Sequence, residues 1–339
     1  MADLETKSVE VTLSDGETHR IPYWELTTGR PGPRILVTAA FHGVELNGCE
    51  IVRRFMPILR DKLLRGSAVL FPMTNLPAIR NRQQHIDYKV GKSYWGKWDH
   101  DANQAWPGRA DGTNAERVCL ALYPVVSDAD YAIDIHSWNE YTAATALPPS
   151  DRPKSLEMAT ATALRFARDR GETPPDQDGP KFPATIRKFY NDSGRDAIAV
   201  EFSGQARFFE REIARGVRAM KNVFRFLEFL PGDMEGQDEE MVWLNSAEKT
   251  EVTAPHSGLF VRSHLAPSDR VEEGDRLGCV FGDWDLRETA IRAPAGGYLY
   301  QFGAVRGASR GNVAKNPGHI LHPFVGEGET IAIIAAPAK

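Results

Sequence analysis

The chain has 339 residues, of which 42% are hydrophobic and 26% charged, with a formal net charge of -5 and a pI of about 6.0. This is ordinary globular composition, long enough for one large domain or for a large and a small one. The acidic balance gives no reason to expect nucleic acid or an anionic membrane as partner, and no run reaches the ~20 apolar residues of a membrane span. The N-terminal "MADLETKSVEVTLSDGETHR" carries no apolar signal segment. Cys49, Cys119 and Cys279 are widely spaced without a CxxC, as free thiols in a reducing compartment are, so the cytoplasm is the expected location.

"RILVTAA" at 34–40 and "SAVLFPM" at 67–73 are short apolar runs bounded by turn residues, and predict strands buried on both faces. Between them Ile51, Phe55, Ile58 and Leu59 fall on one helical face. "TNAERVCLALYPVV" opens with Thr113 and Glu116 at capping-box spacing and continues as an apolar helix. "YAIDIHS" and "AIAVEFS" predict further strands; residues 154–170 and 206–230 predict long helices. Such alternation implies an α/β domain with a parallel or mixed sheet over residues 1–235. The acidic "PGDMEGQDEE" at 231–240 reads as a linker. From 240 to 339 short runs split by Gly and Pro predict a smaller all-β domain. In it "APHSGLF" and "APAGGYL" resemble one another, each as a sharp turn leading into a strand. The long aromatic stretch 86–112, with Trp95, Trp98 and Trp106, predicts a loop lining a site.

Polar residues interrupt three of the predicted strand ends. His42 and Glu45 follow the first strand, His136 ends "YAIDIH", and Glu201 ends "AIAVE". Carboxyl ends of strands are where open α/β sheets place their chemistry. Two His and one carboxylate, with one position left for water, suit a hydrolytic zinc site, where the ion acidifies water and polarises a carbonyl. Glu201 is placed to take a proton. Asp134 stands beside His136 as a buried acceptor.

At this point the chain resembles the succinylglutamate desuccinylase and aspartoacylase family of the zinc carboxypeptidase clan. "FHGVELNG" is similar to its HGxE ligand motif, "DIHSW" to its third-ligand segment and "AVEFSG" to its catalytic-glutamate strand. "NLPAIRNRQ" and "DANQAWPG" resemble two segments between them, and the β domain resembles that of the bacterial members. The resemblance implies a mixed-sheet, carboxypeptidase-like domain. It implies one Zn²⁺ per chain on His42, Glu45 and His136, with Glu201 as general base and then proton donor to the leaving amine. Asp101 orients a ligand His, Asn103 holds a substrate carboxylate, and Arg82 is chosen over Arg80 as the oxyanion Arg. A small N-acylated amino acid or amine is the implied substrate, and a homo-oligomer is compatible with this reading. A metallo-carboxypeptidase or esterase using the same site, and a non-catalytic zinc or ligand-binding protein, are the alternatives.

The chain departs from the family at Gln104, where an Arg is expected after the Asn. A neutral amide cannot replace the bidentate, charged grip of Arg on a carboxylate. Either another cation, such as Arg187 or Arg195, supplies that charge beside Gln104, or the substrate lacks the carboxylate.

Overall fold

The computed structural model describes residues 1–87, 100–169, 185–236, 240–304 and 323–338. The apolar runs "RILVTA" and "SAVLF" form β3 (Arg34–Ala39) and β4 (Ser67–Phe71), buried nearly throughout. Ahead of them a hairpin of β1 (Asp3–Thr12) and β2 (Thr18–Thr27) covers the sheet edge. The polar N-terminus concealed it, because β1 lies exposed along most of its length. The remaining strands are β5 (Tyr131–Ser137), β6 (Thr145–Leu147), β7 (Phe166–Ala167), β8 (Asp196–Phe202) and β9 (Val242–Trp243). They assemble one nine-stranded sheet in the order β1-β2-β4-β3-β5-β8-β6-β7-β9. Pairs β4-β3, β3-β5 and β5-β8 are parallel, whereas β6 runs antiparallel to β8. The sheet is therefore mixed, as the alternating pattern predicts.

Helices cover both faces. On one, α1 (Asn47–Lys62), α4 (Pro153–Ala161) and α6 (Glu210–Phe226) pack Ile51, Phe55, Met158 and Phe224 against Val37, Ile133 and Val200. On the other, α2 (Leu76–Arg80), α3 (Asn114–Val126) and α5 (Ile186–Asp192) bring Ala78, Val118, Leu122 and Ile186 onto Leu36 and Ala132. The capping box at Thr113 and Glu116 closes α3 as its sequence predicts. The helix expected over 154–170 stops early. The Thr162 hydroxyl donates to the Ala159 carbonyl at 2.6 Å, and Ala163 turns left-handed at φ 51°. Such local side-chain bonds compete with the helix, and Phe166 and Ala167 then pair as β7.

Eight further strands form the C-terminal unit: β10 (Glu248–Thr253), β11 (Gly258–Arg262), β12 (Arg270–Val271), β13 (Arg276–Gly282), β14 (Glu288–Arg292), β15 (Gly297–Phe302), β16 (Phe324–Val325) and β17 (Thr330–Ala336). They make two antiparallel sheets, β10-β17-β15-β12 and β14-β13-β11-β16. Phe260, Val280, Leu299 and Ile331 fill the core between them. "APHSGLF" leads into β11 and "APAGGYL" into β15, one in each sheet. Past the linker expected at 231–240, β9 still pairs with β7 in the large sheet before the C-terminal strands begin. The two units are joined by backbone. The Ala143 N–H donates to Tyr300 O and the Phe302 N–H to Tyr141 O, both at 2.8 Å. No described helix is long and apolar enough to cross a membrane.

The α1–α6 contact sets the sheet's helical cover. Phe55 is fully buried and meets the Phe224 ring with centroids 4.7 Å apart. Phe55→Ala is expected to lower the unfolding free energy by about 3–5 kcal/mol, read as a lower urea midpoint with an unchanged slope.

Candidate metal centre

Beyond β3 the backbone turns sharply. Ala40 is left-handed at φ 58°, a conformation a Cβ disfavours. The turn is clamped from α2: the Asn75 N–H donates to Ala40 O at 3.1 Å and the Asn75 side-chain amide to Phe41 O at 2.8 Å. At Gly43 a Cβ would stand 2.4 Å from the Ala78 carbonyl carbon and from Gln83 O. Only glycine fits between the two turns. The Glu45 N–H then donates to His42 O at 3.0 Å, which fixes the carboxylate beside the imidazole.

His42, Glu45 and His136 come together. Glu45 Oε1 lies 2.8 Å from His42 Nδ1, and Glu45 Oε2 lies 2.7 Å from His136 Nδ1. The Ser137 N–H also donates to Oε2 at 3.1 Å. Each imidazole is held from behind by a second carboxylate. His42 Nε2 is 3.1 Å from Asp101 Oδ1. His136 Nε2 is 2.8 Å from Asp134 Oδ2, and Asp134 Oδ1 accepts from the Thr38 hydroxyl at 2.8 Å. An acceptor behind Nε2 keeps a proton there and leaves Nδ1 to offer its lone pair forward. One atom each of His42, Glu45 and His136 lie within 4.8 Å of one another. Two imidazoles and a carboxylate converging in this way fit a divalent ion.

The electrostatics follow from the enclosure. Burial alone would depress the His42 imidazole, but the carboxylates of Glu45 and Asp101 outweigh it and hold the group up at about 10. Burial opposed by Asp134 and Glu45 likewise leaves His136 well above its ordinary value. Burial pushes Glu45 and Asp101 upward, yet the facing imidazoles hold both well below the usual carboxylate range.

Asp101 is itself positioned. Its Oδ1 accepts from the Asn103 N–H at 2.9 Å and its Oδ2 from the Gln104 amide at 3.1 Å. Gln104 is thus engaged by Asp101, behind the His42 ring. Asn103 is buried, with Oδ1 lacking a hydrogen-bond partner among the described residues. Glu201 lies directly across from His136 in the β5–β8 register, and across from Thr145 on its other side. Neighbouring strands are about 4.8 Å apart, so Glu201 stands one strand from the cluster.

Two expected residues land elsewhere. Arg82 is exposed on a left-handed turn, φ 54°, and among the described residues nothing ties it to the cluster. The side chain that turns inward from this segment is His85. Its ring meets His42 edge-on with centroids 5.4 Å apart, and its Nδ1 is 4.0 Å from Asp101 Oδ1. Burial pushes it down to about 4. Residues 42, 85 and 101 form a second group with metal-ligand spacing. Sequence reasoning gives His85 no role, because its approach depends on the Gly43 N–H pairing with Gln84 O. Arg195 donates to the carbonyls of Ser127 and Ala129 at 2.6 and 2.8 Å and lies over the Tyr190 ring. It precedes β8, whereas Glu201 is near the strand's far end; six extended residues separate them by about 20 Å. Trp95 and Trp98 lie outside the described residues, and Trp106 packs edge-on against Phe41 at 5.8 Å.

Similarity to known proteins extends over the whole chain. An aspartoacylase family protein from Mesorhizobium loti MAFF303099 superposes with a TM-score of 0.67 at 20% identity, over 100% of this chain and 96% of that one. A succinylglutamate desuccinylase from Silicibacter sp. TM1040 gives 0.68 at 18% identity, over 98% and 94%. The ectoine utilization protein EutE (DoeB) from Ruegeria pomeroyi, in a product-bound structure, gives 0.67 at 18% identity, over 98% and 95%. Likeness at this identity shows a shared fold across both units. No curated protein matches the sequence. Residues 31–227, more than half the chain and all of the cluster, match the succinylglutamate desuccinylase/aspartoacylase catalytic domain. The chain belongs to the succinylglutamate desuccinylase/aspartoacylase family.

Proposed function

We propose that this chain is a zinc-dependent deacylase, hydrolysing the amide bond of a small N-acylated amino acid or amine. One observation carries the reading: the Glu45 carboxylate stands between the Nδ1 atoms of two imidazoles, each backed by a buried aspartate. His42, Glu45 and His136 would hold the ion, and two nitrogens with one carboxylate suit zinc. When bound, zinc supplies Lewis-acid polarisation of the scissile carbonyl and acidifies water.

The chain's own groups do the rest. Glu201, one strand from His136, takes the proton of the attacking water and delivers it to the departing nitrogen. Its near-complete burial raises the strength of every charge interaction around it. Asp101 and Asp134 orient the imidazoles and stabilise charge on them. Asn103, buried with no partner for Oδ1 among the described residues, offers an amide to the substrate. Gln104 supports Asp101 rather than the substrate.

Glu201→Gln is expected to lower kcat by about 10²–10⁴-fold with zinc content unchanged in metal analysis. Full retention of deacylase activity would falsify the assigned base.

The carboxylate behind His136 gives a second prediction. Asp134→Asn should weaken zinc affinity by about 10–100-fold, measured by competition with a chelator. Equal affinity would mean that the hydrogen bond to Nε2 does not set the ring.

Protonation gives a third. His42 is held at about 10 and His136 is also raised, so without an ion both imidazoles carry an extra proton at neutral pH. An entering ion must expel those protons. Zinc affinity should therefore rise with pH through the neutral range. Calorimetry in buffers of different ionisation enthalpy should record proton release on binding; proton-neutral binding at pH 7 would contradict the assignment.

A further inference from the structure

The family grip on a substrate carboxylate is missing at Gln104, and the structure locates a cation on the opposite side of Glu201. Arg168 follows β7 directly and is anchored by its N–H to Ala146 O at 3.0 Å. His136, Glu201, Thr145 and Phe166 form one row across β5, β8, β6 and β7. Paired residues share a face, and so do residues two apart on a strand. Arg168 therefore projects from the same face as Glu201.

Its guanidinium lies 5.4 Å from the ring centroid of Trp138. Trp138 continues β5 past His136, with its N–H donating to Phe202 O at 2.8 Å. Two strands, carrying Glu201 and Thr145, lie between β7 and β5, about 14 Å sideways; because β7 runs against β8, the two anchors are also offset along the strands, which puts them about 20 Å apart. Two long side chains anchored that far apart can meet only by leaning toward each other over Glu201 and Thr145. Both bring unused donors. Among the described residues the Arg168 guanidinium forms no ion pair and no hydrogen bond, although it is only partly exposed. Trp138 Nε1 is buried with no partner among the described residues, and a buried donor left unpaired in a native structure calls for an explanation. Tyr300, packed edge-on against Phe166 at 5.2 Å, closes the same region, and the charges of Arg168 and Glu201 both act on it.

We infer that Arg168 and the Trp138 indole N–H form the anion grip of this site and hold a carboxylate on the amine half of the substrate. The side follows from the sheet order. Glu201 must reach the departing nitrogen, and Arg168 stands beyond Glu201, away from His42. A guanidinium with an indole N–H beside it matches a planar carboxylate. Arg168 is thus a specificity-determining residue, doing from β7 what an Arg after Asn103 does elsewhere in the family.

The inference rests on the proposed deacylase reading, and the experiment separates the two. The zinc-loaded enzyme is assayed on a panel of N-acetyl-L-amino acids and on their C-terminal carboxamides, which differ only in charge. The wild type is expected to prefer the acids by about 100-fold in kcat/KM, mainly through KM. Arg168→Met should abolish that preference, Arg168→Lys should restore part of it, and Trp138→Phe should reduce it by about tenfold. Because the ratio is taken within one sample, any misfolded fraction cancels. A wild type without preference, or an Arg168→Met enzyme that keeps it, overturns the grip while leaving the deacylase intact. If nothing is hydrolysed, calorimetric binding of the same pairs decides. Acid-over-amide binding that vanishes in Arg168→Met upholds the grip and removes the reaction, and binding indifferent to charge or to Arg168 removes the grip as well.

Discussion

One carboxylate facing two imidazoles is the constraint around which the rest of this molecule is arranged. Glu45 can reach both Nδ1 atoms only if the turn after β3 and the end of β5 are neighbours, and the parallel β3–β5 pairing makes them so. Enclosing two imidazoles and one carboxylate without further charge balance would be costly. Asp101 and Asp134 are therefore as much a condition of the fold as of the chemistry. Each donates nothing and accepts on both oxygens, so the whole network is satisfied from outside inward.

The scaffold around that network is specialised at its bends. Ala40 holds a left-handed turn and Gly43 fills a gap where no side chain fits. Asn75 caps α2 and ties the same turn through its side-chain amide. Strain of this kind persists where surrounding bonds over-determine it. The turn links a strand that belongs to the core with His42 and Glu45, which belong to the cluster.

Much of this was legible in the residues. The apolar runs of β3, β4, β5 and β8 announce buried strands, and a His or Glu at the end of such a run is conspicuous because its burial is expensive. The capping box of α3 could be read directly. What could not be read depends on chain segments that meet only through the sheet. His85 enters because Gln84 pairs with Gly43. Arg168 meets Trp138 across two intervening strands. Gln104 is visible in sequence as a departure from the family, but only its bond to Asp101 shows where its amide went. The helix expected over 154–170 failed for a local reason, since its apolar spacing continues past the point where Thr162 ends the helix. Arg82, which the resemblance implies at the oxyanion, stands on an exposed left-handed turn, and Arg195, a candidate cation beside Gln104, bonds carbonyls ahead of β8.

The docking of β15 onto the 141–143 segment gives the sandwich a hand in what the sheet can accept. Tyr300 belongs to one unit and stands against Phe166 of the other, so the wall near Glu201 is built from both units. Drift in the sandwich core, or a lengthened loop there, can reshape that wall while the turns that carry His42, Glu45 and His136 stay untouched. A lineage built this way can explore new acylated compounds by remodelling an accessory layer, leaving its reaction centre as inherited.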